Sequence, residues 1–192
     1  VKTQLYNANP DTAPDFPANG HVAVIGGGLA GCECALTLAR RGIPVKLYEM
    51  RPARSTPAHE TDLLAELVCS NSLRSEELAS GIGLLKAEMA ALGSPIMAAA
   101  EACRVPAGKA LAVDRGQFAR TMTAAVAAEP RITLIRREIA TLNDPDLAEA
   151  AAIVLAAGPL ASEDLSADLA RILGGEQLYF YDAIAPIITA ES

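Results

Sequence analysis

An α/β fold built on a parallel sheet is what this sequence predicts, and three observations carry that prediction. A short apolar run, His21-Val22-Ala23-Val24-Ile25, leads directly into the turn Gly26-Gly27-Gly28-Leu29-Ala30-Gly31. A helical stretch then reaches Arg41, and a second apolar run, Val45 to Tyr48, closes on the acidic residue Glu49. Strand, glycine turn, helix and strand make one βαβ unit, which implies parallel strands joined by a right-handed crossover.

Composition agrees with a packed α/β domain. At 192 residues and 51% hydrophobic, the chain can bury a full core and suits one large domain or one and a part. No apolar run approaches the roughly 18 residues that a membrane span requires. The opening segment, Val1 to Gly20, is polar and dotted with proline; we expect a flexible leader there and no secretion signal, in a cytoplasmic protein. Four cysteines without regular spacing argue against a disulfide framework and against zinc. Cys32 and Cys34 point about 200° apart on a helix, so they cannot share a metal ion, and no metal centre is expected. A net charge of −7 gives no broad footprint for nucleic acid, although Arg74, Lys86, Arg104, Lys109 and Arg115 are candidates for a local basic patch. Neither DNA nor membrane is an expected partner.

The remaining elements follow in order. Met50 to Pro57, with two prolines and two arginines, reads as a loop. From Thr61 the pattern turns helical over Asp62 to Val68 and breaks at Cys69-Ser70-Asn71-Ser72. Two further helices are expected over Gly83 to Leu92 and Pro95 to Cys103, the second with Ser94 as N-cap and proline in its first turn. Ala110 to Val113 reads as extended, and Asp114 caps a helix from Arg115 to about Ala128 that Glu129-Pro130 ends. Ile132 to Ile135 and Ile139 to Leu142 read as short strands, and Ile153 to Ala156 as a buried one. A last helix, about Ser162 to Leu173, precedes a strand at Leu178 to Tyr181. We therefore expect a leader over 1–20, a Rossmann-like domain over 21–177 with a helical insertion at about 60–104, and the start of a further domain over 178–192.

The glycines have separate tasks. Gly26 permits the tight turn, Gly28 lets a pyrophosphate approach the backbone, and Gly31 lets helix and strand pack closely. Gly27, Leu29 and Ala30 complete a turn whose amides meet the phosphates at the helix start. Glu49, eighteen residues past Gly31, is placed to accept hydrogen bonds from an adenosine ribose, which favours FAD or NAD over a 2′-phosphorylated cofactor. Met50 and Arg51, next in line, belong to the same candidate cofactor set.

Cys69 is the candidate for chemistry. A free cysteine is often only a small buried hydrophobe. Its neighbours Ser70, Asn71 and Ser72 are polar, however, and nearby Arg74 gives an electropositive setting that favours thiolate. Cys32, Cys34 and Cys103 lie on stretches rich in alanine and leucine and read as core. His59 reads as a surface loop residue, and Arg136-Arg137 with Asp144 and Asp146 as solvated surface.

Six runs carry a closer likeness: VIGGGLAGCE from Val24, RGIPVKLYEMRP from Arg41, TPAHETDLLAELVCSNSLRS from Thr56, GLLKAEM from Gly83, RVPAGKALAVDR from Arg104 and LYFYDAIAPI from Leu178. By these runs, which cover nearly everything after His21, the chain resembles the TrmFO (Gid) family of folate- and FAD-dependent tRNA (uracil-5-)-methyltransferases. The resemblance implies FAD as cofactor, 5,10-methylenetetrahydrofolate and NAD(P)H as co-substrates, and the T-loop uridine of tRNA as the target. It also implies that Cys69 is the functional cysteine, proposed in that family to add to the uracil ring.

Members of the family continue well past the LYFYDAIAPI run. The resemblance thus implies that this chain is an N-terminal part, with a second cysteine, the folate pocket and a later glycine-rich flavin segment beyond Ser192. Competing readings are a GidA (MnmG) type wobble-uridine enzyme, a related methyltransferase of ribosomal RNA, a generic flavin oxidoreductase, and a catalytically silent dinucleotide-binding module.

Overall fold

The structure, a computed structural model, describes residues 20–174. The expected leader up to residue 19, the Leu178 to Tyr181 strand and the further domain over 178–192 lie outside the described residues. A parallel sheet of four strands forms the centre: β1 is His21–Ile25, β2 is Val45–Tyr48, β6 is Ile132–Ile135 and β7 is Ala150–Leu155, in the spatial order β6-β2-β1-β7. Alternate residues of β1 go to opposite faces. Val22 and Val24 join a core with Leu36, Leu47, Phe118 and Met122, while Ala23 and Ile25 join a second core with Tyr48, Ile139, Leu165 and Leu169. Both faces are covered, so β1 is buried along its whole length, as a central parallel strand must be.

Helices α1 (Leu29–Arg40), α3 (Pro95–Ala102) and α4 (Arg115–Ala128) cover the first face, and α5 (Glu163–Leu173) contributes to the second. Helix α2 (Gly81–Ala91) lies beside α3 and is covered far less. Its Ile82, Leu84 and Leu85 stay exposed, as does Leu92 just after it. Capping follows the sequence closely: Ser94, Asp114 and Ser162 accept from Met97, Gln117 and Leu165 amides at the starts of α3, α4 and α5. No single described helix is long and apolar enough to cross a membrane.

Four expectations need correction. Asp62 to Val68 is not helical, because its amides are used elsewhere. The Leu64 amide donates to Thr123 Oγ1 (2.9 Å), the Ala65 amide to the Gly27 carbonyl (2.8 Å), and Ala65 takes φ +52°. Ile139 to Leu142 is not a strand either: Ile139 is a core residue, and the Leu142 amide and Thr141 hydroxyl both donate to Asp168 Oδ2. Strand β7 sits at the edge of the described sheet, so Ile153 and Leu155 are exposed where a buried strand was expected. Finally, a small antiparallel sheet of β3 (Ser72–Ser75), β5 (Ala110–Val113) and β4 (Arg104–Val105) adjoins the helices of the expected insertion.

At Gly31 a Cβ would collide with the Gly26 carbonyl, which is backbone and cannot step aside. Gly31→Ala should therefore lower the melting temperature by roughly 10 °C, as expected for an overpacked, rigid site. An unchanged thermal unfolding curve would contradict the packing described.

Candidate functional site

The glycine turn ends β1 and opens α1. Gly26 takes φ +108°, a conformation that side chains rarely adopt, and the Gly27 amide donates to Glu49 Oε2 at 2.8 Å. A Cβ at Gly27 would strike Glu49 Oε2 and Leu64 Cδ2, both at 2.6 Å, whereas one at Gly28 would meet nothing within 4 Å. Open space thus lies in front of the residue expected to face phosphate. Helix α1 also starts with no side-chain cap, unlike α2 to α5, whose N-cap side chains all accept a backbone amide. Among the described residues no N-cap side chain accepts from its first amides, which lie at the positive end of the helix dipole, the arrangement that binds anions. Leu29 and Ala30 line a groove beside α2.

Gly26, Gly27, Gly28, Glu49, Met50 and Arg51 line one cleft. Glu49 is buried, with Oε1 accepting from the Arg51 amide (3.0 Å) and Arg51 Nε (2.9 Å). A carboxylate has about four acceptor positions, so with these three donors in place one remains on Oε2. Burial alone would raise the Glu49 pKa, but the hydrogen bonds and charge of Arg51 and the Gly27 amide outweigh it and hold the carboxyl below its usual range.

Arg51 is expected from the sequence to touch cofactor, and it does line the cleft. Its guanidinium is nonetheless almost fully buried, with Nε on Glu49 and Nη1 on Glu66 Oε2 at 2.9 Å. Glu66 is likewise held below the usual carboxylate range: the Glu60 amide, Thr61 and Arg51 outweigh the upward push of burial.

The rest of the cleft comes from residues that the sequence reading placed at the surface or in other roles. His59, read as a surface residue, is half-buried in the cleft, with Nδ1 2.7 Å from Thr56 Oγ1. Burial and the nearby Arg51 charge lower its pKa, which favours a neutral imidazole. Arg137, with 39% of its side chain exposed, is solvated on one side and engaged on the other. It pairs bidentately with Asp144 (2.9 Å for both bonds) and with Asp146 (2.7 Å), and lies 5.8 Å above the Tyr48 ring, walling the cleft. Arg136 donates to the Arg51 carbonyl. No local sequence pattern marks His59 and Arg137 as cleft residues, because they reach it from two loops far apart in sequence.

Cys69 is exposed and lies in a different hollow, lined by Ser70, Asn71, Val105, Val113, Asp114, Arg115 and Gly116. Arg74, the expected cationic neighbour, lines the groove beside α2 instead, and the cation at the Cys69 hollow is Arg115 at the start of α4. The other candidates for a basic patch are engaged: Lys86 on the Leu73 and Ile82 carbonyls, Arg104 with Glu76 and Glu101, Lys109 with Glu77. Cys32 is buried with Sγ 3.4 Å from the Gly27 carbonyl, and burial pushes its thiol pKa up to about 12. Cys103 is also buried, while Cys34 is half-buried and packs against the core, so the reading of these three as core cysteines holds.

Comparison with known proteins supplies context. Residues 21–192 match the family model described as glucose inhibited division protein A (GIDA). Over 170 residues the chain is 67% identical to the methylenetetrahydrofolate–tRNA-(uracil-5-)-methyltransferase TrmFO of Nitratidesulfovibrio vulgaris strain Hildenborough, covering 88% of this chain and 36% of that protein. The TrmFO of Bacillus subtilis strain 168 is 55% identical over 171 residues, covering 89% of this chain and 38% of its own. The chain thus spans little more than a third of the length of these curated relatives. Among solved structures, the GidA-related protein from Thermus thermophilus aligns with a TM-score of 0.48 at 18% identity, covering 81% of this chain and 69% of that one.

Two outcomes follow from the site. The depressed carboxyls of Glu49 and Glu66 favour the charged form in the folded state, so the unfolded chain binds more protons in acid. Their stabilisation is complete above the ordinary glutamate value of about 4.3 and is lost as pH falls through the lower folded values. The urea midpoint should therefore fall between pH 5 and pH 3, and less steeply in Glu49→Gln; a pH-independent midpoint would refute this. Second, iodoacetamide at neutral pH should label Cys69 well before Cys32, as read by peptide mass spectrometry. Equal labelling of the two would contradict the exposures described.

Proposed function

Because the chain belongs to the glucose inhibited division protein A (GIDA) family, we propose that it forms the dinucleotide-binding part of a flavoprotein that methylates uracil in tRNA, with methylenetetrahydrofolate as carbon source. The observation that carries the cofactor half of this reading is the open start of α1 at Gly28, where free amides and empty space meet the remaining acceptor of Glu49. The relatives named for the methyltransferase support the other half, at 55 to 67% identity. The activity is proposed for a protein of their length, of which this chain spans 36 to 38%.

The cofactor we assign is FAD. Gly28, Leu29 and Ala30 present amides to its pyrophosphate, while Gly26, Gly27 and Gly31 shape the turn that aims them. Glu49 takes a ribose hydroxyl, and Met50 and Arg51 border the adenosine side of the cleft. Bound FAD, reduced by NAD(P)H, supplies the electrons that turn the transferred one-carbon unit into a methyl group.

For Cys69 we assign nucleophilic addition to the uracil ring at the carbon beside the one methylated. Addition there gives the target carbon carbanion character, so that it attacks the electrophilic one-carbon unit. Arg115 and Asp114 line the same hollow as Cys69, so both a cation and an acid border the thiol. We assign the T-loop uridine as target and the cytoplasm as the place of work.

The test uses the purified protein with added FAD, NADPH, methylenetetrahydrofolate and tRNA. A flavin absorption band should persist through desalting. Gly28→Ala should lower flavin content while the melting temperature of the flavin-free protein stays unchanged, and Cys69→Ala should keep flavin while methyl transfer falls by about a thousandfold or more. A protein that never takes up flavin, or a Cys69→Ala variant that methylates at the original rate, would overturn the reading.

A further inference from the structure

We propose that Glu66 is a positioning residue for Cys69, and that one buried guanidinium, Arg51, ties the Cys69 segment to the nucleotide turn. The inference rests on the reading of Cys69 as nucleophile and of the glycine turn as the FAD site.

The connection can be followed bond by bond. The Gly27 amide donates to Glu49 Oε2 at 2.8 Å, and Arg51 Nε donates to Glu49 Oε1 at 2.9 Å. From the same guanidinium, Nη1 donates to Glu66 Oε2 at 2.9 Å and to the Thr61 carbonyl at 3.3 Å. Glu66 gathers three more donors: the Glu60 amide on Oε1 (2.9 Å), and the Thr61 hydroxyl (3.0 Å) and amide (3.3 Å) on Oε2. All three charged side chains are shielded, with relative exposures of 2% for Arg51, 6% for Glu49 and 9% for Glu66. A second link runs in parallel, from the Ala65 amide to the Gly27 carbonyl at 2.8 Å.

Cys69 lies three residues beyond Glu66. On its other side, Asn71 is held by the end of β5, with its carbonyl accepting from the Val113 amide at 2.9 Å and its Nδ2 donating to the Val113 carbonyl at 3.3 Å. Leu67 is buried as well. The thiol therefore rides on a short span fixed at both ends, and each residue of that span reaches at most about 3.6 Å. One anchor belongs to the wall of its own hollow, and the other belongs to the nucleotide turn. A shift of Glu49 or Gly27 when a dinucleotide seats is transmitted to Arg51, and through Glu66 to the segment that carries the thiol.

Glu66→Gln keeps the shape of the side chain and removes the charge that holds Arg51, so it tests this link. In the wild type, the rate of Cys69 alkylation should differ between FAD-loaded and FAD-stripped protein. In E66Q that ratio should return toward one, and kcat for methyl transfer should fall about tenfold with KM for tRNA little changed and flavin still bound. A wild-type ratio of one, or an E66Q enzyme with the original ratio and kcat, would overturn the proposal. Should E66Q not fold, Thr61→Ala removes one donor to Glu66 from an exposed residue and is read in the same two assays. A shift in the same direction supports the proposal, and unchanged values overturn it. Loss of flavin from the wild type, or full methylation by Cys69→Ala, would instead count against the function on which this inference rests.

Discussion

The carboxylate of Glu49 lies beneath the glycine turn, and much of the surrounding structure is arranged to keep it charged there. An isolated buried carboxylate is unfavourable by several kcal/mol, so it needs a cation and hydrogen-bond donors with good geometry. Arg51 supplies the cation and the Gly27 amide one of the donors. Burying Arg51 in turn demands a second anion, which Glu66 provides, and Glu66 draws in the backbone of Glu60 and Thr61. A requirement set at the end of one strand thereby organises a loop far along the chain.

This chain of demands explains which parts of the fold were legible in the sequence. Strands β1 and β2 and helix α1 were readable because their signals are local: apolar runs, a glycine turn and an acid at the strand end. Ser94 and Asp114 were readable as caps for the same reason, since each accepts an amide three residues on. The segment Asp62 to Val68 carries a helical pattern but does not form a helix, because the partners of its amides, Thr123 and Gly27, are distant in sequence and satisfy them first. Ile139 to Leu142 failed as a strand in the same way, with Asp168 taking the Leu142 amide that a neighbouring strand would have used.

For the site, the sequence located the glycines, Glu49 and Cys69 but not their surroundings. His59 and Arg137 become cleft residues only when loops from different parts of the sheet meet at the ends of its strands. Placing Arg74 beside Cys69 was a fair inference from five residues of separation, yet β3 begins between them and carries Arg74 to another surface. The cleft and the Cys69 hollow are separate depressions, so the chemistry assigned to them must be joined by structure between them or by groups bound across them.

The uncapped start of α1 has a thermodynamic side. Four of the described helices satisfy an end amide with a serine or aspartate of their own, while α1 leaves that role to whatever anion occupies the turn. Such a ligand binds the folded chain and not the unfolded one, so by mass action it shifts the folding equilibrium by RT ln(1 + [L]/Kd), about 2.7 kcal/mol at a hundredfold excess over Kd. Stability of the domain is then a property of the chain together with its ligand, and the concentration of that ligand in the cell becomes one of the quantities that determine how much folded protein there is.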